Sequence, residues 1–238
     1  MVILPPQLEG IYLLNEDLKY LEKLSYGETE DSINNIEPWS NWRNIFEYVS
    51  IVEYAKMEIS KLPKGRQIGS TDVVPARYHS TSMIFYSQAV LDVVKLWLAD
   101  YFSLKKDIPK SFYYQKFQEA IQIKHYPFSY FYEKHGEFIY DLKNYRYEWI
   151  HRIAGGANIY ADKNSGEVDA NISIRVPMEP KLSNVKDNVS RIQELIAENG
   201  SWLYSIDEFS EKISSDLREF IYDCIGIIIE REKNGSPK

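Results

Sequence analysis

The sequence predicts an all-α fold: an antiparallel helical bundle with one inserted β-hairpin. Three observations lead there. Long stretches carry apolar residues at three- and four-residue spacing. The connections between them are short to medium and punctuated by proline or glycine, which favours antiparallel neighbours. One stretch, ANIYADKNSGEVDANISIRVP, departs from this pattern and reads as two strand-like segments about a turn. With 238 residues, 44% of them hydrophobic, the chain can bury a core unaided and is read as a single domain over residues 1–238.

The elements follow in order. A short helix is expected around NEDLKYLEKLS, then a loop through NNIEPWS, with Ser40 as N-cap of the next helix. That helix, residues 41–62, places Ile45, Val49, Val52 and Ile59 on one face, and Pro63 and Gly65 end it. The polar segment 64–82, KGRQIGSTDVVPARYHSTS, reads as a loop. A helix over 82–102 carries Tyr86, Val90, Val93, Trp97 and Tyr101, broadened by Val94 and Leu98. A shorter helix spans 111–125, stopped before Pro127. The helix over 128–151 buries Phe131, Phe138, Leu142, Tyr145 and Trp149 and stops at Gly155 and Gly156. The hairpin occupies about residues 157–176, with KNSGE as its turn. Helices over 184–198, stopped by Gly200, and 206–232 complete the chain.

Composition narrows the functions. A net charge of -7 opposes a protein that coats nucleic acid through its whole surface, yet permits a local basic pocket acting on one strand. Cys224 is the single cysteine, so no intramolecular disulfide and no cysteine-based zinc site is expected. His125, His135 and His151 show no zinc spacing, so neither metal nor cofactor is expected. The segment MVILPPQLEG has no basic start, and no apolar run approaches about 20 residues. The expected setting is the cytoplasm, with no membrane partner.

One stretch carries reactive chemistry: NYRYEWIHR, residues 144–152. Histidine exchanges protons near neutral pH, and arginine grips a phosphate through paired hydrogen bonds. Since RNA supplies its own 2′-hydroxyl nucleophile, Arg146 and His151 suffice for metal-free transesterification. On a regular helix the two positions point about 140° apart and lie about 7.5 Å apart along the axis. Asn144, Glu148 and His151 share a face instead. Either the helix unwinds near His151, or the long arginine reaches around, or two chains assemble the site. The plain alternative is a surface arginine near Glu148 or Asp141 and a histidine suited to a helix C-terminus. Asp92 is a candidate to orient Arg146 or His151. The loop with Lys64 and Arg66, with Arg77 and His79 nearby, is a second basic lip. The 19 tyrosines supply packing first and stacking platforms for bases second.

The segment LKNYRYEWIHR resembles the R-x4–6-H signature of the HEPN (higher eukaryotes and prokaryotes nucleotide-binding) superfamily. That resemblance covers eleven residues and implies a metal-independent endoribonuclease. Arg146 would bind phosphate and His151 would transfer protons; beside them, Asn144 and Arg152 are this reading's own supporting candidates for substrate contact or for fixing the imidazole. It also implies RNA or a nucleotide as ligand, a homodimer that pools two motifs, and a toxin–antitoxin or phage-defence setting with an antitoxin-like protein partner. Two positions differ from the pattern. Tyr147 follows the arginine where asparagine is common. Ile153 stands where one toxin–antitoxin branch has a modifiable tyrosine. The alternative function is a non-catalytic module that binds a nucleotide or a protein partner.

Overall fold

The computed structural model describes residues 37–63, 70–151, 157–161, 170–179, 182, 185–200 and 202–234. The expected helix around residues 15–25 and the KNSGE turn lie outside them. Six α-helices are described: α1 Glu37–Ser60, α2 Val73–Tyr101, α3 Gln115–Lys124, α4 Phe128–His151, α5 Val189–Asn199 and α6 Ile206–Lys233. Three strands accompany them: β1 Ala157–Ala161, β2 Ala170–Pro177 and β3 Leu203–Ser205. The fold is all-α, an antiparallel helical bundle. Residues group into two compact units, one with 1–53, 86–140 and 216–238, the other with 54–85 and 141–215. Each takes a segment of all four long helices. The first draws the N-terminal parts of α1 and α4 and the C-terminal parts of α2 and α6.

Four boundaries differ from the sequence reading, each for a local reason. The helix expected to begin after Ser40 starts at Glu37, because Pro38 falls in the first turn, where no backbone N–H is needed. Segment 73–82, read as loop, is the first part of α2. Pro75 again sits in a first turn, and the hydroxyls that suggested a loop bond back along the helix. Ser80 donates to the Ala76 carbonyl at 2.6 Å, Thr81 to Arg77 at 2.7 Å and Ser82 to Tyr78 at 2.9 Å. The third helix begins at Gln115 rather than 111, after a turn in which the Tyr114 N–H bonds to the Ser111 carbonyl. The helix expected from 184 begins at Val189, behind a short 3-10 turn, Val185–Asp187. It ends as read, at Gly200, whose φ of 74° is left-handed and natural to glycine.

In place of an isolated hairpin there is a three-stranded antiparallel sheet of order β1-β2-β3. Ile159 pairs with Ile172 between β1 and β2, and Ser173 pairs with Ser205 between β2 and β3. Three residues, Leu203–Ser205, are too few for strand alternation to show in sequence. β3 runs straight into α6 through a capping box. The Ser205 hydroxyl accepts from the Glu208 N–H at 3.2 Å, and Glu208 Oε2 accepts from the Ser205 N–H at 3.0 Å. In the same unit Leu182, Ile192 and Leu195 bury with Trp202 against them. Arg191 ties the start of α5 to the residues after β2, its Nε and Nη2 both donating to Glu179 Oε1.

The first unit is held by aromatic rings. Phe220 of α6 is fully enclosed, with centroids of Phe131 at 5.1 Å, Phe112 at 5.6 Å, His135 at 5.7 Å and Phe138 at 6.1 Å. Arg231 is buried, yet its guanidinium lies 5.2 Å from the ring centroids of Tyr101 and of Phe102 and donates to the Tyr101 hydroxyl. Ring faces replace part of its lost hydration. Glu53, also buried, accepts two bonds from Arg218, at 2.7 and 2.6 Å. By length and mean hydropathy α2 also meets the requirement for crossing a membrane, with 56% of that window buried inside the protein.

His135, buried, faces the Asp223 carboxylate at 2.8 Å, and Lys134 reaches the same oxygen at 2.8 Å. Burial pushes the Asp223 carboxyl up, but the bonds from Lys134 and His135 outweigh it and hold the group below its usual value. A carboxyl depressed on folding adds stability above its unfolded pKa and loses it as pH falls through the folded one. The stability lost between about pH 5 and about pH 2.5 should therefore be smaller in Asp223→Asn than in wild type, measured by urea unfolding across that range.

Candidate functional site

The R-x4-H residues sit on the last turns of α4, where Leu142 and Tyr145 are buried and Tyr145 packs edge-on against Phe209 of α6 at 5.7 Å. These anchors fix the rotation of α4. The helix runs through His151, so it does not unwind ahead of the histidine. Positions 146 and 151 therefore keep their separation of about 140° around the axis. Within one chain, the helix places Arg146 and His151 on different sides. The side chain of His151 and the whole of Arg152 lie outside the described residues.

Arg146 is exposed, and its guanidinium lies 5.9 Å from the Phe85 ring centroid on α2. Among the described residues no carboxylate forms an ion pair with it. The Asp141 side of the surface ion-pair reading therefore gains no support, and the Glu148 side chain is outside the described residues. An exposed guanidinium on an aromatic face keeps its outward N–H groups for an anion. Asn144 is half-buried, and its amide nitrogen is enclosed with no hydrogen-bond partner. Leaving such a donor unpaired costs about 1–3 kcal/mol. Asn144 shares its helix face with position 151 and not with Arg146.

The remaining candidates are placed as follows. Asp92 belongs to the other unit, where Lys95 one turn along α2 pairs with it. Lys64 and Arg66 are outside the described residues. Arg77 and His79, read as part of a loop, stand on α2. Burial pushes the His79 imidazole below its usual pKa, with the Glu58 carboxylate opposing, so at neutral pH this ring is a weak phosphate clamp. Among the described residues no group of three His, Cys, Asp or Glu converges as a metal site would need. Burial also pushes the Cys224 thiol well above its usual value, which makes it a poor nucleophile.

Sequence reasoning missed two features. Phe85, the partner of Arg146, does not belong to the periodic apolar set of α2. It lies outside that stripe, and an aromatic ring on a polar face was the available signal. The pairing of His135 with Asp223 spans 88 positions and has no local signature. No protein family, curated protein or solved structure matches this chain.

Proposed function

We propose that the protein is a metal-independent endoribonuclease, its site built from Arg146 of one copy and His151 of a second. The observation that carries this reading is the exposed Arg146 guanidinium, poised on Phe85 with no carboxylate bound among the described residues. The regular helix, which separates the two positions on one chain, is the reason for invoking a second copy. In the reaction the 2′-oxygen attacks phosphorus while its proton passes to the imidazole. The bond to the 5′-oxygen breaks, and that oxygen takes up a proton. The products are a 2′,3′-cyclic phosphate and a 5′-hydroxyl. Arg146 holds the non-bridging oxygens as their charge rises. The reading carries with it a cytoplasmic homodimer and an antitoxin-like protein that restrains it.

Purified protein in EDTA should cleave structured RNA and leave 2′,3′-cyclic ends, detected by end-group analysis of the fragments. Intact RNA after prolonged incubation, at concentrations where the protein is dimeric, would overturn the reading. The separation of Arg146 and His151 on one helix favours a second reading should that happen: a non-catalytic module binding a nucleotide or protein partner. Saturable binding without turnover is its signature.

A further inference from the structure

We propose that the exposed stripe of α2 is a stacking platform for single-stranded RNA, with Tyr78 and Phe85 taking bases and Arg77 and Arg146 taking phosphates. The inference rests on the ribonuclease reading for its choice of RNA and extends it to substrate class. Tyr78 and Phe85 are seven residues apart on one helix, which places them within about 20° of the same direction and about 10.5 Å apart. Tyr78 is 68% exposed and Phe85 38%. Several aromatic rings of this chain are exposed; what marks these two is that they align along one helix and each lies beside an arginine.

Charge selects that occupant. Arg77 is exposed one position before Tyr78, and Arg146 lies over Phe85. Neither guanidinium has an ion-paired carboxylate among the described residues. The Glu58 carboxylate, which acts on the neighbouring His79, is engaged by Lys61 at 2.7 Å. In a chain of net charge -7, an arginine beside the exposed Tyr78 ring and a second arginine stacked over the partly exposed Phe85 ring form a local exception suited to an anion with flat faces. An unpaired strand presents both, whereas in a duplex the base faces are hidden in the stack.

The test is fluorescence anisotropy with a labelled twelve-nucleotide oligoadenylate, in the His151→Ala background so that cleavage does not intervene. Binding should weaken about 5- to 150-fold in Phe85→Leu and in Tyr78→Leu, because leucine keeps apolar bulk but offers no π-face. The slope of log affinity against log salt should lessen by about 0.7 in Arg77→Gln. Circular dichroism melting confirms that the variants fold. Equal affinity for a duplex of the same length overturns the platform. So does binding indifferent to both leucine variants, or displacement of the oligonucleotide by a glutamate-rich peptide whose own binding survives them. Stacking-dependent binding by a wild-type protein that cuts nothing would keep the platform and dismiss the nuclease. Cleavage with binding indifferent to both leucine variants would do the reverse.

Discussion

His151→Ala is expected to lower the rate of RNA cleavage about 10²- to 10⁴-fold, the usual contribution of a positioned general acid or base. The loss should appear in kcat with KM little changed, since the phosphate is held by arginine rather than by imidazole. Arg146→Ala should lower kcat and raise KM together. The two variants also distinguish the one-chain and two-chain arrangements. In an equimolar mixture of Arg146→Ala and His151→Ala chains, half of randomly formed dimers are mixed, and each mixed dimer has one intact pair. About a quarter of wild-type activity should return if the site is shared between copies, and none if each chain uses its own pair. Activity retained by either variant alone would remove the assignment of that residue.

Phe220→Ala is expected to cost about 3–5 kcal/mol of folding stability, the range for removing a large ring from a packed core. Phe220 touches rings contributed by α4 and by the segment before α3, so the void opens where several elements meet. Four ring contacts are lost with it: Phe112, meeting it at 90°, together with Phe131, Phe138 and His135. Because marginal stability is typically 5–15 kcal/mol, the variant should lose a large share of the total. Urea unfolding followed by near-ultraviolet circular dichroism reports it directly. A midpoint within experimental error of wild type would show that the ring is dispensable.

The long helices were legible where burial follows period. Ile45, Val49, Val52 and Ile59 of α1, and Phe131, Phe138, Leu142 and Tyr145 of α4, are all buried as their spacing requires. The start of α2 was not, because Ser80, Thr81 and Ser82 satisfy their hydroxyls on the preceding turn and Pro75 occupies a position that needs no donor. Both features resemble a loop when only composition is visible. The start of α6 was written in SIDE, residues 205–208, whose serine and glutamate cap each other reciprocally. For the candidate site, spacing alone already gave the angular conflict between Arg146 and His151. What the sequence withheld was the neighbour on α2: Phe85 lies 61 positions before Arg146, and only packing brings them together.

The direct passage from β3 into α6 makes the small sheet inseparable from the helices. Ser205 closes the last strand and caps the first turn of α6 at once, so no cut between them spares both. Anyone trimming this chain to its helices alone has to retain the serine and graft the new junction ahead of it. Otherwise the excision frays the helix that brings Phe209 and Phe220 into place.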